Sequence, residues 1–138
     1  MINEDGMRFL TAARKVAEPL ACYFVDRTET LKADLLRAGM STEKALKLYR
    51  ALKQSGHIRP TGAWEFDSFE ITPFGFRELL IQQYGSGGYR NRVSEVHRVY
   101  REFLLKGGGA IEKLAVTLNM SLLSVQEILY ADAPTKRR

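Results

Sequence analysis

The sequence predicts a mainly α fold with one small β-hairpin: two helices joined by a very short turn, the hairpin, a further helix, and then a second helical pair. Three observations carry this. Apolar residues recur at intervals of three and four through several segments, apolar alternation is confined to the stretch around residues 57–71, and Ser, Thr and Gly stand where those segments begin and end.

Taken in order, Met7 to Glu18 is helical by composition and period, and Pro19 bends or ends it. Leu20 to Val25 is a continuous apolar run that periodicity cannot assign to helix or strand. In a fold of this kind it most simply extends the first helix, with its apolar residues serving as core or dimer contact. Thr30 to Ala38 reads as a short helix capped by Thr30 and stopped at Gly39, so that only Gly39 and Met40 precede Ser41. The next helix is the best specified. Ala45, Leu48, Tyr49 and Leu52 fall on one face, Ser41 offers an N-cap hydroxyl, and Gly56 can take the left-handed conformation after the last turn. The opposite face carries Thr42, Glu43, Lys44, Lys47, Arg50 and Lys53, long or polar side chains able to reach phosphates and base edges in a major groove. Two helices joined by so short a Gly-containing turn make a helix-turn-helix, whose second helix enters the groove.

His57 to Pro60 and Trp64 to Ile71 flank Thr61-Gly62-Ala63 as a hairpin. Thr72 then caps a helix with Pro73 at its first position, followed by Phe76, Leu79, Leu80 and Gln83. Tyr84 to Arg92, with Gly85, Gly87 and Gly88, reads as a flexible basic connector in which Arg90 and Arg92 can touch phosphate. Beyond it Val93, Val96, Val99, Tyr100 and Phe103 share a helical face that ends before Gly107. Ala110 to Leu129 has the pattern of another helix-turn-helix: small Ala115 at the crossing, Asn119 for a left-handed turn, Ser121 as cap, Val125 and Ile128 as core. Leu122 and Leu123 occupy the helix start where polar side chains would face bases. Ser124, Gln126, Glu127 and Tyr130 remain as contacts, with Arg98, Arg101, Lys136, Arg137 and Arg138 supplying charge. The other reading of this half is a small bundle for dimerisation or docking of a protein partner.

On these residues Ser41 to Leu80 resembles the core of winged-helix transcription regulators of the MarR and PadR kind, and with the preceding helix the likeness covers about residues 30–80. Ala45, Leu48, Leu52, Gly56 and Ile58 match the recognition-helix spacing, and Ile71 to Leu80 is similar to the segment after the wing. The resemblance implies a mainly α, winged helix-turn-helix fold with a small hairpin wing, followed here by a second helix-turn-helix-like unit. It implies base reading by Thr42, Lys44, Lys47 and Arg50 from a helix that starts at Ser41, and wing contacts from Arg59, Thr61 and Trp64. The wing is short and departs from a basic one by carrying Glu65, Asp67 and Glu70, which leaves the helix to carry most of the recognition. Residues 88–130 resemble, more distantly, the DNA-binding end of Mor-type phage activators. The expected organisation is a winged-helix domain over 1–83, a connector at 84–92, a helix-turn-helix-like domain over 93–131 and a basic tail at 132–138.

At 138 residues the chain has the size of one ordinary domain or two very small ones. Its net charge of +5 is unevenly spread: residues 30–60 hold seven basic and two acidic residues, and residues 61–83 one basic and four acidic. Positive charge gathered on particular segments suits a chain that displaces counterions from a polyanion. No apolar run approaches the roughly 20 residues that span a bilayer, the amino end lacks a secretory pattern, and a lone Cys22 makes no internal disulfide, so a cytoplasmic, non-membrane protein is expected. His57 and His97 are isolated, no metal-ligand spacing is present, and the glycines make no phosphate loop. No enzymatic activity, metal or cofactor is therefore expected. The function expected is sequence-specific binding of double-stranded DNA by a homodimeric transcriptional regulator. The alternatives are a protein-interaction adaptor and a plasmid or phage replication or partition factor.

Overall fold

The computed structural model describes residues 3–17, 23–105 and 111–132. The chain forms two compact units, Met1–Leu79 and Leu80–Arg138. Among the described residues no helix is long and apolar enough to cross a membrane.

In the first unit α1 (Glu4–Val16) begins at Asn3, whose Oδ1 accepts the Gly6 N–H at 2.8 Å. Glu4 and Asp5 in its first turn and Arg14 and Lys15 in its last complement the helix dipole. The helix stops at Ala17, which is extended, and Phe24–Val25 is a strand, β1. The apolar run therefore does not extend the first helix; its residues 20–22 lie outside the described residues. Next, α2 (Thr28–Arg37) starts earlier than Thr30, and Arg27 at its N-cap makes no side-chain capping bond, so Thr30 is not a cap. Gly39, at φ +91°, turns the chain toward α3 (Thr42–Ser55).

The strands β2 (Ile58–Pro60) and β3 (Phe69–Ile71) complete an antiparallel sheet in the order β1-β3-β2. Phe24 pairs with Glu70 on one side and Arg59 with Glu70 on the other. As the central strand, β3 has its alternate residues Phe69 and Ile71 fully buried. The connecting loop spans 61–68, longer than the three-residue turn the alternation predicts, and Trp64 to Ser68 are not strand. Phe66 is the cause: it takes a left-handed φ of 53° and turns its ring into the core, which breaks the alternation.

That ring joins an aromatic cluster. Phe66 stacks on Tyr49 at 4.9 Å and meets Phe9 at 5.7 Å, while Phe69 contacts Phe9 at 6.1 Å and Tyr49 at 5.7 Å. Rings from α1, α3, the loop and β3 thus share one core, each worth roughly 1.5–3 kcal/mol when fully buried.

A latch closes the far end of α3. The Thr72 hydroxyl donates toward the Gly56 carbonyl at 2.6 Å, its amide donates to the His57 carbonyl at 3.1 Å, and its oxygen accepts the Gly75 N–H at 3.1 Å. This is the expected cap of α4 (Pro73–Tyr84). Gly75 lies so close to the same carbonyl that a Cβ there would stand 2.1 Å from the His57 oxygen. His57 is itself buried against Phe74, with Nδ1 2.5 Å from the Ser55 hydroxyl, and burial lowers its pKa despite the opposing charge of Glu78.

The second unit consists of the end of α4, α5 (Ser86–Leu105), α6 (Ile111–Leu118) and α7 (Leu122–Ala131). Residues 86–92 are thus the first turns of α5, not a flexible connector, and Gly85 at φ +78° is the sole break between α4 and α5. Tyr89 is buried and the Arg92 guanidinium lies 4.2 Å from the Tyr84 ring centre, contacts that outweigh the low helix propensity of Gly87 and Gly88. Val96 and Val99 are buried with Leu114, Ala115, Val125 and Ile128; Tyr100, expected on the same face, is exposed. The Phe103 side chain lies outside the described residues. Asn119 takes the left-handed turn at φ 55°, and Ser121 caps α7 by accepting the Ser124 N–H at 3.0 Å.

Candidate nucleic-acid interface

The interface expected from the sequence centres on α3, and its frame is as predicted. Ser41 Oγ accepts the Lys44 N–H at 3.1 Å, Gly56 at φ +84° ends the helix, and Ala45, Tyr49 and Leu52 face inward. Leu48 is half-buried. Ser41, Thr42, Glu43, Lys44, Lys47, Arg50 and Lys53 are all exposed, so the polar side chains form one outward face.

Two of these cations are engaged. Lys44 Nζ lies 2.8 Å from the Asp5 carboxylate of α1, and Arg50 makes a bidentate bond to Glu65, both contacts 2.7 Å. The hydrogen bond from Lys44 is the first cause that holds the Asp5 carboxyl below its usual range. The Arg50 bond does the same for Glu65, aided by the charge of Lys53, and raises the Arg50 pKa in return. Both pairs are solvent-exposed and screened, so they position side chains more than they stabilise the fold. Lys47 and Lys53 have no ion pair among the described residues, and they are the cations most free to meet an anion.

The hairpin acids are absorbed internally. Glu65 takes Arg50, Glu70 takes Arg59 directly across the β2–β3 ladder, and Asp67 is half-buried with its carboxylate against Gly62. Arg59 is consequently paired. Thr61 is exposed at the start of the loop, and its N–H and that of Gly62 converge on the Ser68 carbonyl at 2.9 and 3.0 Å. Trp64 stands outward.

The remaining predicted contacts belong to the second unit. Arg90 is exposed, while Arg92 is stacked on Tyr84 and lines a cleft of about 380 Å³ with Asn91, Glu95 and Met120. Ser124 and Gln126 are half-buried, Ser124 Oγ accepting the Ser121 hydroxyl at 2.8 Å. Glu127 is buried, which takes it away from any surface ligand. Arg98 is shared between Glu95 and Glu102, and residues 136–138 lie outside the described residues. Leu122 and Leu123 stay partly exposed at the start of α7.

Sequence reasoning missed Asp5 and Glu65 as partners of the outward face of α3, because neither lies near its cation in the chain. Among the described residues no cluster of His, Cys, Asp or Glu could hold a metal ion. Compared with protein-family models, curated proteins and solved structures, the chain matches none significantly.

Proposed function

We propose that the chain is a sequence-specific, double-stranded DNA-binding protein of the winged helix-turn-helix kind, acting as a transcriptional regulator, with α3 in the major groove and the 61–68 loop as its wing. The observation that carries this is the outward face of α3. A helix capped at both ends and fixed by buried aromatic residues presents Thr42, Lys47 and Lys53 unhindered, with Lys44 and Arg50 held by carboxylates that phosphate can replace. The element order around it, helix, β1, helix, turn, α3, hairpin and α4, is compatible with that docking. Two copies of the chain on paired half-sites would be the natural target.

Selection of bound sequences from a random duplex library tests this most directly, since an enriched motif establishes specificity and its symmetry reports the number of copies. In an anisotropy titration Lys47→Ala is expected to weaken binding and to lower the slope of affinity against salt by about 1. Unchanged affinity and slope would remove α3 from the interface. A second reading, a protein-interaction adaptor, is favoured by Leu122 and Leu123 exposed where a DNA reader needs polar groups. Absence of any enriched motif would favour it.

A further inference from the structure

Arg50 and Glu65 meet through one particular edge of the guanidinium. Nε and Nη2 each donate to a Glu65 oxygen at 2.7 Å, so the carboxylate closes the side edge of the planar group. A guanidinium holds its N–H donors in a fixed fork, and the two spent on Glu65 leave one on Nη1 and one on Nη2 running parallel at the far end. That end has no partner among the described residues, and the side chain is 55% exposed on the outward face of α3. The carboxylate is itself held in place. Phe66, the residue after Glu65, is buried and stacks on Tyr49, the residue before Arg50, with ring centres 4.9 Å apart and planes at 12°. Neighbours on the loop thus meet neighbours on the helix, one contact in the core and one at the surface. This fixes Glu65 relative to α3 and lowers the entropy Arg50 loses when a ligand takes its free end.

We propose that Glu65 is the positioning residue for Arg50, and that Arg50, so held, reads a guanine through its Nη1–Nη2 end. The inference rests on the DNA-binding reading above and names the base that reading leaves open. In the major groove guanine alone presents two acceptors side by side, O6 and N7. Adenine sets a donor beside its N7, thymine offers one acceptor and a methyl group, and cytosine a donor, so two parallel donors match guanine only. Exchange of Glu65 for a phosphate is the other course open to Arg50. It trades one two-point anionic contact for another, whereas the guanine edge adds two bonds and leaves the first two in place. A phosphate at the free end would meet an arginine already neutralised by its carboxylate; an uncharged base edge meets no such opposition. Lys47 and Lys53, which have no ion pair among the described residues, are the cations left for the backbone.

The test uses the full chain and the sequence enriched from the random duplex library, read by anisotropy titration. One guanine of that sequence is expected to depend on Arg50. Replacing it by 7-deazaguanine, which lacks the N7 acceptor and still pairs with cytosine, should weaken wild-type binding by about tenfold and cost Arg50→Ala nothing further. Glu65→Gln, which keeps the size and drops the charge, should lose most of the discrimination at that guanine and keep it at the other base pairs, a pattern that general unfolding does not give. An Arg50-dependent guanine that Glu65→Gln reads as well as the wild type overturns the positioning role. So does a Glu65→Gln chain that binds every duplex more tightly and steepens the salt slope by about 1 with no single base pair affected, because the carboxylate then only masks a phosphate contact. If Lys47→Ala weakens binding and no guanine depends on Arg50, the guanine reading is lost and α3 keeps its place in the groove. If no sequence is enriched, the reading of sequence-specific DNA binding falls and takes this inference with it.

Discussion

α3 and α7 each follow a short turn with a positive φ, at Gly39 and Asn119, and each starts at a serine whose hydroxyl accepts an amide three residues on. Each also buries a compact inner face, Ala45, Tyr49 and Leu52 in one and Val125, Ile128 and Ala131 in the other. Outward they differ. α3 offers lysines and an arginine; α7 offers Leu122 and Leu123, with Ser124 and Gln126 half-buried and Glu127 buried. The devices that build a helix, turn and helix are thus indifferent to what the second helix touches. The two helices differ in the side chains they leave outward.

The largest expected effect tests how each pair is supported. Phe69 is fully buried between Phe9 and Tyr49, so Phe69→Ala is expected to destabilise the first unit by about 3–5 kcal/mol in urea unfolding. Ile128→Ala, which opens the aliphatic core beneath α7, is expected to cost about 2–5 kcal/mol. A loss well below these ranges in only one of the two would break the claim that both pairs stand on comparable cores.

A smaller effect separates the two turns. Gly39 has φ +91° with open space around its Cα, so an added methyl group meets no neighbour and the cost is conformational. Gly39→Ala should lose about 1–2 kcal/mol, whereas Asn119→Gly should change stability by less, since Asn already tolerates the left-handed region. Equal costs for the two would show that something other than backbone conformation holds one of the turns.

The mildest test is pH, and it concerns the first unit alone. Burial places the folded pKa of His57 below its ordinary value of 6.5. Above 6.5 both states are neutral. As the pH falls through 6.5 the unfolded chain takes the proton first, so stability declines until the folded form is protonated too. Urea midpoints taken from neutral pH downward should therefore fall less steeply in His57→Gln than in the wild-type chain. Identical slopes would assign the acid sensitivity to other groups.

What the sequence made legible is what its local chemistry dictates. The ends of α3, the Thr72-Pro73 start of α4, the left-handed Asn119 and the Ser121 cap each depend on residues within a few positions of one another. The two-residue β1 was hidden because periodicity needs more residues than it has. The start of α5 was hidden because glycine-rich composition argued for a connector, and the burial of Tyr89 is a tertiary fact. The pairing of the outward face of α3 is tertiary as well. Arg50 and Glu65 are 15 positions apart, and Lys44 meets a carboxylate from a different helix. Trp64 looked like a strand residue because Trp64 and Phe66 alternate with Glu65 and Asp67, and the slip of the alternation between Phe66 and Phe69 passes as continuous strand.

Gly75 has a consequence for how this sequence can drift. What an added Cβ would strike there is the His57 carbonyl oxygen, a backbone atom that cannot swing aside as a side chain could. In a library of random variants screened for folding alone, position 75 should return glycine and almost nothing else. Position 64, which the fold leaves exposed, should return nearly every residue under that screen.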